Sequence, residues 1–147
     1  MAGDPNSMVD HPGAKALAQG ELKLQLLCTM AAFFEGMGYQ DIRARTAGYQ
    51  PPSLLPGKTQ HHCPDLTCIQ NDAKATPIML DVVTGFELLH KDSKVRWEVF
   101  AYYIKATKGK FELHFAVPQW DESGDIAKNL RTKLFNLNIQ YSRVWAL

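Results

Sequence analysis

Two aspartates stand where a carboxylate has work to do. Asp65 follows Pro64 at the start of an apolar segment, and Asp81 interrupts the run Ile78-Met79-Leu80-Asp81-Val82-Val83. A carboxylate in such a run is costly to bury unless it is paired or bound to a metal. The two lie 16 positions apart, on either side of an Asn71-Asp72 turn. If the flanking segments pair as strands, both side chains come to one end of a sheet. Two hard oxygen ligands there suit Mg²⁺ or Mn²⁺, with waters and a phosphate completing the shell. Asp65 equally suits turn chemistry after Pro64, and Asp81 equally suits a salt bridge to a lysine or arginine.

His61, His62, Cys63 and Cys68 have the side-chain types of a zinc site. On one strand, however, an odd separation turns Cys63 and Cys68 to opposite faces, so zinc is not expected. Cys28 lies in an apolar helical run and reads as a core residue. Lys105, Lys108 and Lys110 form a basic run, with Lys91, Lys94 and Arg96 upstream and a second group at Arg43 and Arg45. Such charges usually form a solvated face, but beside Asp81 they would contact phosphates. Trp97, Tyr102 and Tyr103 read as core aromatics.

The elements that must position these residues follow from spacing. Leu22, Leu26, Met30, Phe33, Phe34 and Met37 predict a helix over 14–37, with Gly38 as its C-cap. Residues 42–49 read as an edge strand, followed by a Pro-rich loop over 50–60. Strands are predicted over 63–70 and 77–84, the second apolar enough to be central. Asp92 or Ser93 caps a helix to about residue 107, with Val95, Val99, Tyr102 and Tyr103 inward. A strand over 111–117, a helix from Ser123 to residue 135 with Ile126, Leu130 and Leu134 inward, and a strand over 140–145 complete the chain. The order is α-β-β-β-α-β-α-β. It predicts an α/β protein with a mixed sheet flanked by helices.

The totals narrow the function. The 147 residues suit one domain, expected over 8–147. Residues 1–7 read as a vector-derived tail before Met8. Against 16 Lys and Arg stand 15 Asp and Glu, a net charge of +1, so any nucleic-acid site must be a local patch. Three cysteines give no disulfide framework, which predicts a reducing, cytoplasmic setting. No segment is apolar enough to span a membrane.

Pro64-Asp65, followed by Asp81-Val82-Val83, resembles the motif of the PD-(D/E)xK nuclease superfamily. That motif is Pro-Asp on one strand, then an acidic residue, any residue and lysine on the next. The element order over 14–145 resembles the restriction-endonuclease-like fold. The stretch Val95-Arg96-Trp97-Glu98-Val99-Phe100, with the strand ending in Val117-Pro118, is similar to uncharacterised members. The resemblance implies a Mg²⁺- or Mn²⁺-dependent hydrolase with Asp65 and Asp81 as metal ligands and Glu21 as an acid from the first helix. The motif lysine falls on Val83. Its nearest substitutes by order are Lys94, Arg96 and Lys105, which places Lys94 and Lys105 in the expected catalytic set. The implied partner is nucleic acid, DNA foremost, bound weakly and without a membrane. A homo-oligomer is compatible with this. The alternative is an inactive structural or protein-binding module that keeps only the fold.

Overall fold

The computed structural model describes residues 12–57, 60–121 and 124–147. Helix α1, Pro12–Gly36, leads into strand β1, Gln40–Ala44. Gly38 at φ 80° ends the helix, and its backbone N–H bonds to Glu35 O while Tyr39 N–H bonds to Phe34 O. A left-handed residue closing the last turn this way is the usual role of glycine after a helix. Strands β2, Leu66–Ile69, and β3, Pro77–Val82, follow, then the short helix α2, Gly85–Leu89, and α3, Lys91–Ala106. Strand β4, Glu112–Val117, precedes a two-stranded ribbon, β5, Trp120–Asp121, and β6, Gly124–Asp125. Helix α4, Ile126–Asn136, and strand β7, Arg143–Ala146, end the chain.

Among the described residues the result is an α/β fold: a five-stranded mixed sheet and four helices. The sheet order is β1-β2-β3-β4-β7. β1, β2 and β3 run antiparallel, whereas β3, β4 and β7 run parallel. β3 is therefore central, as its apolar run predicts. Its alternation splits the core. Ile78, Leu80 and Val82 face α1, with Leu26, Leu27, Met30, Ala31 and Phe34 against them. Met79 and Val83 face Trp97, Phe100, Ile126, Leu130 and Leu134 of α3 and α4.

The structure moves several expected boundaries. β1 starts earlier and stops at Ala44, because Ala44 N–H bonds to Gln50 O across a turn with Gly48 at φ 91°. β3 stops at Val82, and Thr84-Gly85-Phe86-Glu87 begins α2, an element absent from the sequence reading. The signal was a capping-box pattern, a threonine followed three residues later by glutamate. α3 is capped by the His90 ring rather than by Asp92 or Ser93, since His90 Nδ1 accepts from Asp92 N–H at 3.2 Å. Ser123 lies outside the described residues, and α4 is capped by Asp125, which accepts from Lys128 N–H at 3.1 Å.

Two helix faces are rotated from their predicted setting. On α1, Phe33 and Met37 are half-exposed, and Leu27 and Ala31 take inner places. On α3, Val95 and Tyr102 point outward while Trp97 and Phe100 are buried. The larger aromatic pair wins because it removes more apolar area from water. Cys28 is exposed, not core, with Sγ 3.3 Å from Thr46 Oγ1.

Phe34 is fully buried and stacks on Tyr39 at 5.0 Å. Phe34→Ala is expected to cost about 3–5 kcal/mol. Phe135 is 83% exposed, and Phe135→Ala is expected to change stability by no more than about 0.5 kcal/mol. Urea unfolding of the two variants checks both values.

Candidate functional site

Asp65 and Asp81 do meet. Leu66 pairs with Leu80, so Asp65, one residue before β2, falls beside Asp81 on β3. Asp65 Oδ2 accepts from Val82 N–H at 2.9 Å, which ties the two strands together at this point. Both side chains are buried, Asp81 completely.

Both carboxylates are met by cations of the protein itself. Asp81 Oδ1 receives Arg96 Nη2 at 2.6 Å and Arg96 Nε at 3.1 Å. Its Oδ2 receives the Trp97 indole N–H at 3.0 Å. Arg96 Nη2 also lies 3.5 Å from Asp65 Oδ1. Lys23 reaches the cluster from α1, on the other side of the sheet. Its Nζ stands 3.2 Å from Asp65 Oδ2 and 2.9 Å from Glu87 Oε2. Arg45 Nη1 stands 3.9 Å from Asp65 Oδ1. Two hollows flank Lys23. One, about 280 Å³, is lined by His62, Phe86, Glu87 and Arg96; the other, about 250 Å³, by Leu24, Leu27, Arg45 and Asp65.

The charges distribute unequally over the two aspartates. Burial raises the Asp65 pKa and the charge of Asp81 raises it further; Lys23 opposes them, and the value rises to about 7. Burial acts on Asp81 in the same direction, but Arg96 and Lys23 outweigh it and hold Asp81 below the usual carboxylate range. Burial likewise raises Glu87, against the pull of Lys23. Burial alone would lower Lys23 and Arg96, yet the surrounding carboxylates raise both. Three carboxylates thus share two close cations, and a proton on Asp65 restores the balance.

The remaining expected residues stand apart. Glu21 is exposed on α1, two residues from Lys23 and so about 200° around the helix. Lys94 is exposed and pairs with Glu98 at 3.8 Å. Lys105 is exposed in the last turn of α3, about 13 Å along the axis from Arg96. The run Lys105, Lys108, Lys110 leads into β4 where Glu112 pairs with Ile78, at the end of β3 away from Asp81. Of the three cations that could substitute by order for the motif lysine, Arg96 stands beside the acids, whereas Lys94 and Lys105, the two in the expected catalytic set, do not. Lys23 and Glu87 were missed. Lys23 lies three and four residues before the buried Leu26 and Leu27, which puts it on the inner flank of α1.

The cysteine argument also changes. Cys63 precedes β2 and is not on it, so strand parity does not relate it to Cys68. Cys63 Sγ is 3.4 Å from Pro52 O, and Cys68 is buried against α1. His61 is exposed and His62 buried, with burial and the charge of Arg96 lowering the His62 pKa. Among the described residues, no three His, Cys, Asp or Glu side chains are grouped so as to hold a metal ion.

No family model matches the chain, and no match is found among curated proteins or solved structures.

Two outcomes follow from the cluster. Removing Arg96 leaves Asp81 buried without its main counter-charge, so Arg96→Met is expected to cost about 3–5 kcal/mol at pH 7. Adding Asp81→Asn to that variant should restore part of the loss, as read by urea unfolding. The second outcome concerns pH. The folded chain holds a proton on Asp65 that the unfolded chain releases near pH 3.8. Asp65 therefore opposes folding increasingly as pH rises from about 4 to about 7. Each pKa unit is worth about 1.4 kcal/mol. The stability of Asp65→Asn relative to wild type should improve by a few kcal/mol between pH 4.5 and pH 8. Parallel stability profiles for the two proteins would contradict this.

Proposed function

We propose that this chain is a nuclease-like domain of the restriction-endonuclease-like fold that does not hydrolyse nucleic acid and serves as a partner-binding module. The element order and the neighbouring Asp65 and Asp81 support the fold assignment. One observation carries the functional reading: both Asp81 oxygens are occupied, by Arg96 and Trp97, in a side chain with no exposed surface. A divalent cation needs free carboxylate oxygens and room for water. Here the positive charge is supplied by arginine and lysine, which compensate the acids without offering a Lewis-acid centre. The residues therefore do not fit a resident Mg²⁺ or Mn²⁺. Lys23 and Arg96, the cations closest to the acids, are already paired with carboxylates and are not free to stabilise charge developing on a phosphodiester.

A second reading has one observation in its favour. Lys23 stands 3.2 Å from Asp65 beside two hollows, where a lysine displaced from the Val83 position could serve a weak nuclease. The two readings separate in a cleavage assay on plasmid and single-stranded oligonucleotide with Mg²⁺ or Mn²⁺, comparing wild type, Asp81→Ala and Lys23→Met. The module reading expects no metal-dependent cleavage above the Asp81→Ala background. Robust cleavage lost in both variants would replace it with the enzyme. Parallel anisotropy titrations should give weak, salt-sensitive DNA binding; the net charge is +1, so few phosphates can be neutralised and affinity is low.

A further inference from the structure

Away from the aspartate cluster, on the α1 side of the sheet, a second buried polar group is wired in a way that allows only one protonation state. His114 on β4 is buried between Glu112 and Trp145. The Trp145 indole N–H lies 3.0 Å from His114 Nδ1. An indole nitrogen can only donate, so Nδ1 must be bare. The imidazole proton then sits on Nε2, which faces Glu112 Oε2 at 3.2 Å. Glu112 is itself held by Gln70, whose Nε2 donates to the same oxygen at 2.5 Å.

A second proton can enter this ring only at Nδ1. There it would set an imidazolium N–H against the indole N–H, two donors face to face. Protonation of His114 and the Trp145 hydrogen bond therefore exclude each other. We infer that His114 and Trp145 form an acid-released latch on the C-terminal edge strand β7.

The packing shows what the latch holds. Among the described residues, β7 has a hydrogen-bonded neighbour, β4, on one side only. On the α1 face its side-chain anchor is the Trp145 ring, set edge-on to Phe33 at 5.5 Å and Phe34 at 5.9 Å of α1, while Val144 packs against the core on the other face. Arg143 lies 3.7 Å from the centre of the same ring. Loss of the indole hydrogen bond frees the ring to leave the α1 aromatics, and β7 keeps its backbone ladder to β4 and the packing of Val144 on the other face.

The charged groups around His114 set the direction. Burial disfavours its protonation, Glu112 on β4 favours it, and Arg143 on β7 disfavours it; together they lower its pKa below the ordinary 6.5. Just past β2 stands the neutral Gln70, and α1 presents Phe33 and Phe34 with Tyr39 just beyond, whose phenol is raised and so uncharged here. The latch is thus closed at neutral pH and opens below pH 6.5.

The test follows the three indole Nε1–H resonances of the protein by two-dimensional ¹⁵N NMR from pH 8 to pH 4.5, with Trp145 assigned through Trp145→Phe. The Trp145 resonance is expected to shift in a single titration with a midpoint below 6.5. That midpoint should equal the midpoint of the His114 ring Cε1–H in the same sample. In His114→Gln the amide oxygen can still accept the indole N–H and does not titrate, so the Trp145 shift should disappear. A Trp145 resonance that stays fixed down to pH 4.5 in the wild type would overturn the latch. So would a midpoint distinct from that of His114, or an unchanged titration in His114→Gln. The comparison of the two wild-type midpoints decides the matter even if that variant does not fold.

Discussion

Asp81 is a charged, fully buried side chain on the central strand of the sheet, and the structure around it is organised by the need to satisfy it. Its strand is the middle of five, flanked by α1 on one face and by α3 and α4 on the other. An ionised carboxylate in such a place is tolerable only if both oxygens find donors of the right charge and geometry. Two successive residues of α3 meet that demand. Arg96 supplies a charged fork to one oxygen and Trp97 an indole N–H to the other. The same Trp97 is fully buried and packs edge-on to Phe115 at 5.8 Å, so the polar and apolar anchors of α3 are neighbours on one turn.

This fixes more than one helix. Because Arg96 and Trp97 must address Asp81, α3 is held in one rotation, and Val95 and Tyr102 are left facing outward. The short α2 that precedes it presents Glu87 to Lys23, and Ser93 Oγ donates to Glu87 O at 2.6 Å. Lys133 of α4 donates to Leu88 O and lies 5.7 Å from the centre of the Trp97 ring. Lys23 joins α1 to the same cluster. One buried charge thus couples elements from both faces of the sheet. The coupling explains why a pair that looks like a metal centre in sequence is occupied by protein cations. Asp65 takes the complementary role, since with a proton it can sit beside Asp81 without adding charge.

How much of this could be read from the chain depends on the range of the interaction. The strand character of 77–82, the inward set Ile126, Leu130 and Leu134, the C-cap at Gly38 and the meeting of Asp65 with Asp81 all follow from local pattern plus one pairing. Helix rotation did not follow. α1 and α3 each carry two overlapping apolar stripes, and only the shape of the opposing surface selects between them. The cap of α3 was misread because a histidine ring at 90 does what the neighbouring Asp92 and Ser93 are better known for. The cysteine parity argument failed because it assumed that β2 extends back to Cys63.

The sequence by itself determined the order of the longer helices and of the five sheet strands, the central place of β3 and the fact that Asp81 needs a partner, because each is set by periodicity and by the cost of burying charge. Only the tertiary structure decided which partner. Lys94, Arg96 and Lys105 are equivalent in a linear reading. On the helix, Lys94 is turned about 200° away from Arg96 and Lys105 lies about 13 Å further along, so Arg96 alone of the three reaches the sheet. Lys23 lies 42 positions before Asp65 and on the other face of the sheet. No local pattern carries that distance; it exists only once α1 packs across β2 and β3 and brings its ammonium to the acids.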